Sequence, residues 1–391
     1  MDGQIYQNDG EHRRMGAEDL AVFIEGNSKR YQRKRRYERG NHNHMSMYTE
    51  DGWIDVPYID YYCDKHDINF VLIIGRRQVG KTYGVLKYLL DSQKKFILLR
   101  RTKAELQLIK KKTNSPFEAI DGYEDRVTLA GSEDGTMDIE LYTSEGDEGR
   151  SDVIGMAAAL STIASIRGFS GKQYTDLVYD ECIPEEHVYK IKSEDEAFNN
   201  AYTTINGNRE LMGQKALRCW LLANTNKLNG AILKSLNLVE IVERMWRTGC
   251  EELLMKDRGI LILMPKSEKI VDQRRHTAIY RASGTDSKFA KMSLEGEFSH
   301  DDTSDIRKVD IKQYDRICIL DDIVVCKHKS DGVYYVCKKF GPRGLHEYDD
   351  TEYFRNFYRR THPSHRAAYI RGNMFFQNVT VKEKFLRYIY E

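Results

Sequence analysis

The sequence lacks several features that would place it in a class at once. Its seven cysteines are odd in number and contain no Cys-x-x-Cys spacing, which argues against a disulfide framework and a zinc knuckle. Apolar stretches stay below the roughly 18 residues of a membrane span, and the first residues lack the apolar core of a secretory signal. Net charge is only +1, so any contact with nucleic acid must be local. We therefore expect a reduced, cytosolic chain without a membrane partner.

The chain does contain enough apolar sequence for a large core. Its 391 residues are 40% hydrophobic and 31% charged, which predicts two or three soluble domains. Shifts in composition predict a basic N-terminal extension at 1–50, a nucleotide-binding domain at 51–230, a lid or linker at 231–305 and a C-terminal domain at 306–391. The dense basic run at 29–39 is either an arm that contacts a phosphate backbone or a partner, or a solvated tail.

The strongest motif fits the phosphate-loop pattern G-x-x-x-x-G-K-[ST]. Its glycines let successive N–H groups curl around phosphate oxygens. Lys81 places a charge on the β- and γ-phosphates, and the Thr82 hydroxyl can ligate Mg²⁺. An apolar strand at 70–74 precedes the loop, and a helix over 82–90 points its N-terminus at the anion. The predicted nucleotide-binding residues are Gly75, Arg76, Arg77, Gln78, Val79, Gly80, Lys81, Thr82 and Tyr83. The alternative is a glycine-rich turn that binds nothing.

Carboxylates follow a later apolar strand, which covers residues 175–179. Asp180 is placed to hold Mg²⁺, and Glu181 is placed to act on the attacking water. The alternative is an ordinary acidic turn at a strand end. The next apolar strand, residues 217–223, ends at Asn224, which could sense the γ-phosphate or simply form a turn.

Four apolar strands, the second ending at Arg100 and Arg101, thus alternate with helices or loops. The polar candidates all follow strand carboxyl ends, where open α/β sheets bind ligands. The pattern predicts an α/β fold with a mainly parallel sheet, of the additional-strand, catalytic-glutamate (ASCE) class of phosphate-loop ATPases. Residues 125–142 predict a β-hairpin, and residues 144–152 predict a polar loop.

The C-terminal residues predict a smaller α+β domain. Strands at 316–320 and 323–325 flank Asp321 and Asp322, and Asp331 with Gly332 predicts the turn of a second hairpin. Residues 354–360 and 381–390 are typical of helices that carry both aromatic rings and arginines.

Together these motifs resemble the DNA-packaging ATPases of phi29-type tailed phages. The likeness is carried by residues 75–82, 96–106, 177–181, 208–210 and 218–224; it spans roughly residues 65–300 and weakens in the C-terminal domain. It implies an ATP- and Mg²⁺-dependent homo-oligomeric ring, a pentamer, docked on the portal of a procapsid and driving double-stranded DNA inward. The resemblance places such a motor in the host cytoplasm and not in the mature virion. Some relatives also bind a structural RNA.

The resemblance also implies residue roles. Lys81 and Thr82 hold phosphates and Mg²⁺, Asp180 completes the metal site, and Glu181 is the base. Arg77 matches the Walker A arginine of packaging ATPases, and Arg209 matches the position of an arginine finger that acts on a neighbouring subunit. The catalytic candidates are therefore Glu181, Arg209, Lys81, Asn224 and Arg77. For Arg209, a surface arginine is the alternative.

Basic residues after the second strand are candidates for contacts with DNA or a neighbouring subunit. They are Arg100, Arg101, Lys103, Lys110, Lys111 and Lys112. Lys103 matches a family lysine tied to the subunit interface. For the whole set, solvated strand-end and helix positions are the alternative.

In larger terminases, the second domain is an RNase H-type nuclease, which needs several carboxylates around two metals. The candidates here are Asp321, Asp322 and Asp331, and no convincing further acid ends a later strand. We predict a vestigial, inactive domain of this type. The main alternative is an active terminase with ATPase and endonuclease activity.

Two further alternatives are disfavoured by the sequence. A GTPase would need an N-K-x-D motif that recognises guanine, and residues 226–229 lack its Asp. A scaffold that binds nucleotide without hydrolysing it has little use for the second acid, Glu181.

Overall fold

The computed structural model describes residues 47–76, 79–131, 135–142, 151–163, 171–184, 191–225, 228, 230–283, 305–342 and 344–390. The predicted basic run at 29–39 and two phosphate-loop residues, Arg77 and Gln78, lie outside these ranges. Within them, the strands form a larger and a smaller sheet. No helix of the described ranges is long and apolar enough to cross a membrane.

In the described residues the larger sheet has the strand order β3-β4-β5-β2-β6-β7-β1-β9-β8. Neighbours from β5 through β9 run parallel, and the outer pairs run antiparallel. The prediction of a mainly parallel sheet is confirmed. The strands are β1 (Phe70–Gly75), β2 (Phe96–Arg100), β3 (Val127–Ala130), β4 (Thr136–Tyr142), β5 (Ser151–Ala159), β6 (Asp176–Tyr179), β7 (Arg218–Asn224), β8 (Glu252–Met255) and β9 (Ile260–Leu263).

Helices cover both faces of this sheet. They are α1 (Val56–Lys65), α2 (Lys81–Asp91), α3 (Lys103–Lys110), α4 (Leu160–Ile163), α5 (Glu194–Asn206), α6 (Ala231–Ser235), α7 (Val239–Thr248), α8 (Glu268–Arg275) and α9 (Ala278–Ser283). Two apolar clusters lie on opposite faces, one containing Leu72 and Leu221 and the other containing Val71 and Leu222. Neighbouring side chains of one strand point to opposite faces, so the central strands read as unbroken apolar runs.

The four predicted strands lie side by side in the centre, in the order β2-β6-β7-β1. In register, Ile73 lies beside Leu222 and Tyr179 lies beside Leu221. Because all four run parallel, their carboxyl ends reach one edge of the sheet. This edge carries the predicted phosphate loop, the acid pair and Asn224.

The strand β5 was not predicted from the sequence, and its first residues were predicted as part of a polar loop. This strand pairs antiparallel with β4 and parallel with β2, so it joins the predicted hairpin to the centre of the sheet. Its second half is Gly155-Met-Ala-Ala-Ala159, which has low intrinsic β-propensity. The small residues are needed for close packing, because a Cβ on Gly155 would lie 2.6 Å from the Phe96 carbonyl oxygen.

The larger sheet also extends past the predicted boundary at residue 230. β9 pairs parallel with β1, and β8 pairs antiparallel with β9. Residues 252–263, assigned by sequence to a lid or linker, are therefore part of the nucleotide-binding unit. The strand Ile260–Leu263 is fully buried beside β1. This burial explains why all four of its residues are apolar.

The smaller sheet has the strand order β13-β10-β11-β12-β14 in the described residues. The strands predicted on either side of Asp321 and Asp322 pair antiparallel as β10 and β11, and the predicted hairpin that turns at Asp331 and Gly332 is present as β11 and β12. The domain is α+β as expected, but the resemblance to an RNase H-type nuclease is not confirmed. Its elements are β10 (Tyr314–Leu320), β11 (Ile323–His328), β12 (Tyr334–Lys338), β13 (Glu347–Tyr348), α10 (Glu352–Thr361), α11 (Pro363–Ile370), β14 (Met374–Phe376) and α12 (Val379–Tyr390).

The two sheet units pack through α7 and α12. The Val379 N–H donates to Glu243 Oε2 at 3.2 Å, and Lys338 Nζ lies 2.6 Å from Glu240 Oε1. Apolar residues of both units, including Val242 and Phe385, belong to one buried cluster.

Candidate nucleotide-binding site

The phosphate loop joins β1 to α2 at the carboxyl edge of the larger sheet. Gly80 sits at the start of α2 with φ 79°, a left-handed conformation that favours glycine. Among the described residues, no side chain caps this helix end. The N–H groups of the first helical turn therefore face the loop, as an anion site requires.

Lys81 is buried at the centre of the site. Its Nζ donates to the carbonyl oxygens of Gly75 at 3.1 Å and Arg76 at 2.7 Å, and to Asn224 Oδ1 at 2.9 Å. Asn224, at the end of β7, thus contacts the ammonium group that is predicted to hold the phosphates.

The predicted metal ligands also come together. Thr82 Oγ1 donates to Asp180 Oδ1 at 2.8 Å, although the two residues are 98 positions apart in sequence. Asp180 is 7% exposed. A hydroxyl beside a carboxylate is the oxygen donor set that Mg²⁺ takes in phosphate-loop proteins, so these residues fit the ion.

Arg100 bridges the two acids. Its Nη1 lies 2.6 Å from Asp180 Oδ2, and its Nη2 lies 3.1 Å from Glu181 Oε2. Glu181 has φ 55°, a left-handed conformation that costs about 1–2 kcal/mol in a residue with a Cβ. This turn directs a half-exposed carboxylate past the end of β6. Arg100, predicted as a contact for DNA or a neighbouring subunit, therefore belongs to the site itself.

Arg101 lies on the interior side of the same strand end. It is 1% exposed, and its Nε and Nη2 donate to Glu194 Oε1 at 2.7 Å and Oε2 at 2.9 Å. The Tyr179 hydroxyl donates to the same Oε1 at 2.7 Å. Burial alone would lower the pKa of the Arg101 guanidinium, but Glu194 raises it above its usual value. This burial leaves Arg101 no surface with which to contact DNA.

The remaining basic candidates lie on or beyond α3. Lys103 and Lys111 are exposed. Lys110 Nζ donates to the Gly131 carbonyl oxygen at 3.2 Å, and Lys112 forms an ion pair with Asp125. Lys110 and Lys112 are thus partly engaged within the chain.

Arg209 lies at the opposite edge of the sheet from the phosphate loop. It is 7% exposed, and its Nη2 donates to the carbonyl oxygens of Gly171 at 2.6 Å and Tyr174 at 2.5 Å. Tyr174 comes just before β6 begins, and Arg209 precedes the start of β7. Within one chain, these contacts hold Arg209 in a structural position away from its own acid pair.

A cavity of about 210 Å³ lies between the loop and the acid pair. Its lining combines backbone N–H donors, an ammonium, a hydroxyl and two carboxylates. Such a set can bind a phosphate chain and a divalent cation together. The lining residues are Gly80, Lys81, Thr82, Tyr83, Asp180, Glu181, Leu222, Ala223 and Asn224.

The C-terminal acids do not form a comparable site. Asp322 is paired with Lys384, and Asp331 Oδ1 lies 2.8 Å from His328 Nδ1. The described residues contain no group of three or more His, Cys, Asp or Glu side chains that could hold a metal ion.

The sequence-based reasoning missed the bridging role of Arg100 and the buried partner Glu194. A signal for Arg100 was present, since it ends a strand of the predicted parallel sheet, whose carboxyl edge also carries the acid pair; that the two strands are neighbours is a finding of the structure. Glu194 has no such signal, because its contact with Arg101 spans 93 positions.

These features define an α/β protein with a mainly parallel sheet, whose carboxyl edge carries the candidate nucleotide-binding site. The chain belongs to the Podovirus DNA encapsidation protein (Gp16) family, whose profile matches residues 62–348. It is accordingly a phage DNA-packaging motor ATPase by family. An active terminase nuclease is not favoured.

Solved structures share the fold. The chain is similar to a protein of the bacteriophage Phi-29 viral genome packaging motor assembly, at 17% identity and a TM-score of 0.57, covering 88% of this chain and 100% of the other. It is also similar to the Phi-28 gp11 DNA packaging motor, at 15% identity and a TM-score of 0.50, covering 85% and 97%. No curated protein sequence matches the chain.

Proposed function

We propose that the chain hydrolyses ATP with Mg²⁺ and, as a pentameric ring on the portal of a procapsid, moves double-stranded viral DNA inward. The observation that carries this proposal is the meeting of Lys81, Thr82 and Asp180 around one cavity. Only a ligand with both anionic oxygens and a bound cation would use all three side chains. The proposed setting is the host cytoplasm, and we expect the motor to be absent from the mature virion.

Nucleotide binding would begin with an exchange of partners at Lys81. Its ammonium would leave the carbonyl oxygens of Gly75 and Arg76 for the β- and γ-phosphate oxygens. The α2 N-terminus would stabilise the same negative charge. Among the loop residues, Arg76 and Val79 flank the segment that holds Arg77 and Gln78, which we retain as nucleotide-binding candidates outside the described residues.

Thr82 and Asp180 would hold Mg²⁺, which neutralises charge on the phosphate oxygens when bound. Glu181 would orient the attacking water and accept its proton, because its carboxylate extends past the end of β6 toward the cavity. Asn224 contacts Lys81 directly, which supports a role in sensing the γ-phosphate. These residues supply charge stabilisation and positioning, which dominate catalysis of phosphoryl transfer.

The proposed partners are double-stranded DNA, the portal-bearing procapsid and further copies of the chain. Lys103 and Lys111 are exposed and could contact a phosphate backbone or a neighbouring subunit. A structural RNA is a further candidate partner. We assign the C-terminal domain to docking, as a vestigial nuclease-like unit, since Asp322 and Asp331 are engaged by basic side chains of the chain itself.

The motor function is tested by the rate of ATP hydrolysis. Purified chain should show saturable Mg·ATP turnover that rises several-fold when double-stranded DNA and portal-bearing procapsids are added together. Procapsids without DNA serve as the control. Equal rates with and without DNA would contradict a coupled motor.

Arg209 is proposed to act on a neighbouring subunit, since its own acid pair lies at the other edge of the sheet. Arg209→Ala should be inactive alone and should regain part of its turnover when mixed with Lys81→Ala, because each partner supplies what the other lacks. Rates of titrated mixtures measure this. The matched control is Arg258→Ala, which removes an exposed guanidinium that likewise donates to a backbone carbonyl and should stay active alone.

The competing explanation for an inactive Arg209→Ala is loss of the contacts with Gly171 and Tyr174. Removing the Arg209 donor from these buried carbonyls would lower the free energy of unfolding by about 1–3 kcal/mol, although the Gly171 carbonyl keeps the Tyr174 N–H as a donor at 3.0 Å. If mixtures restore no turnover and thermal unfolding shifts downward, Arg209 is structural and the role across the interface is wrong.

A further inference from the structure

Trp53 is an exposed aromatic residue beside the phosphate loop. Its side chain is 44% exposed, although a ring of this size usually gains from burial. The six-membered part of the indole lies against Gly80, where an added Cβ would be 3.0 Å from Trp53 Cε3. The residues that follow run along the first turn of α2, since Val56 Cγ2 and the Ile54 carbonyl oxygen lie near Gly84. The indole therefore lies at the outer edge of the loop.

The backbone holds this ring in a fixed place. Thr49 and Trp53 close a tight loop, in which the Thr49 N–H donates to the Trp53 carbonyl oxygen at 2.7 Å and the Trp53 N–H donates to Thr49 Oγ1 at 3.1 Å. Gly52 has φ 90° and packs against Ser267. Lys269 Nζ donates to the Glu50 carbonyl oxygen at 2.7 Å. An aromatic ring set on an anchored loop loses little entropy when a ligand packs on it.

The loop formed by residues 49–53 contacts the β9 and β8 side of β1. Two of the residues that hold the loop, Ser267 and Lys269, lie just after β9. A third contact is made by Tyr48, whose hydroxyl donates to Glu251 Oε2 at 2.6 Å, just before β8. The acid pair and Asn224 follow β6 and β7, which lie on the other side of β1. A triphosphate whose γ-end faces Glu181 would direct its nucleoside away from β6 and β7, toward the side where Trp53 lies.

We propose that Trp53 forms a wall of the nucleobase subsite and stacks on the purine of the ATP held by the phosphate loop. This inference rests on the proposed nucleotide site and adds the residue that recognises the base. An exposed indole offers a flat apolar face, and stacking of a base on an aromatic side chain gains affinity without hydrogen-bond readout. Trp53 would therefore favour nucleotides over bare polyphosphate, with little choice among bases.

The test compares Mg·ATP with Mg·tripolyphosphate, which has the phosphates but no base. Calorimetry on the full chain should show that Trp53→Ala weakens Mg·ATP binding about tenfold and leaves tripolyphosphate binding unchanged. Trp53→Phe should retain most of the affinity. Tyr353→Ala, which removes an exposed aromatic ring in the C-terminal domain, is the matched control and should bind both ligands like wild type.

Fluorescence gives a second readout. ATP should quench indole emission in wild type but not in Trp53→Phe, whose two remaining tryptophans include the fully buried Trp220. Tripolyphosphate should not quench wild type. If Trp53→Ala weakens both ligands equally, or neither, Trp53 only packs on Gly80 and the inference is wrong. If wild type binds Mg·tripolyphosphate as tightly as Mg·ATP, the base subsite is wrong but the phosphate site stands. If wild type binds neither ligand, the proposed nucleotide site is wrong as well.

Discussion

Lys81→Ala is expected to abolish ATP turnover, lowering the rate at least about 100-fold. Lys81 is the ammonium group that lines the cavity, and it lies within hydrogen-bonding distance of Asn224 and two loop carbonyls. Without it, charge that develops on the γ-phosphate oxygens would lose its nearest positive partner. Steady-state hydrolysis, measured with Mg·ATP in excess, checks the result.

The control for this prediction is Lys87→Ala in the same helix. Lys87 is partly exposed and pairs with Asp91 at 3.5 Å, away from the cavity lining. Its loss removes the same type of charge, and we expect turnover within about twofold of wild type, since an exposed i,i+4 pair contributes only about 0.3–0.5 kcal/mol. Wild-type turnover in Lys81→Ala would refute the phosphate-loop assignment.

Stability must be separated from chemistry in this comparison. Removing Lys81 leaves Asn224 Oδ1 and two carbonyl oxygens without this donor, which would lower the free energy of unfolding by about 1–3 kcal/mol. Thermal unfolding of both variants, followed without nucleotide, reports that cost. A folded Lys81→Ala protein that neither binds nor hydrolyses Mg·ATP is the expected outcome.

Glu181→Gln is expected to keep Mg·ATP bound while the hydrolysis step slows by about 10²–10⁴-fold. Glutamine has nearly the same shape as glutamate but cannot accept a proton from water. Its amide oxygen can still accept from Arg100, so the bridge at the strand end need not be lost. Because the Glu181 side chain is 55% exposed, the fold should tolerate the change.

Two measurements separate binding from chemistry for Glu181. Equilibrium binding of Mg·ATP should match wild type, and single-turnover hydrolysis should be slow. Glu196→Gln, an exposed glutamate on α5, is the matched control and should leave both values unchanged. An unchanged single-turnover rate in Glu181→Gln would exclude this residue as the base.

Local sequence patterns predicted the centre of the larger sheet. Unbroken apolar runs identified β1, β2, β6 and β7, because a strand buried on both faces needs apolar residues at every position. The spacing of Gly75, Gly80 and Lys81 predicted the phosphate loop for a physical reason as well, since glycines at these positions let the backbone N–H groups approach an anion. Side chains that follow parallel strands converge at one edge, so the meeting of Thr82 with Asp180 was predictable in outline.

Patterns with weak local signals were missed. β5 ends in alanines, which favour no particular strand face, and its place is decided by pairing with β2 and β4. β9 was recognised as a strand but assigned to the wrong unit. Its parallel pairing with β1 follows from β8, which runs antiparallel to β9 and returns the chain to the edge where β9 begins, and no single sequence motif encodes this.

The sequence by itself predicted the chemistry that we propose for this protein: a phosphate loop, an acid pair and parallel strands whose carboxyl ends bring them to one edge. Only the tertiary structure decided which basic side chains face the acid pair at this edge of the sheet. Arg100 and Arg101 are neighbours in sequence, yet one bridges Asp180 and Glu181 and the other is buried against Glu194. Successive residues at a strand end point to opposite faces, so the fate of each depends on partners about 80 and 93 positions away.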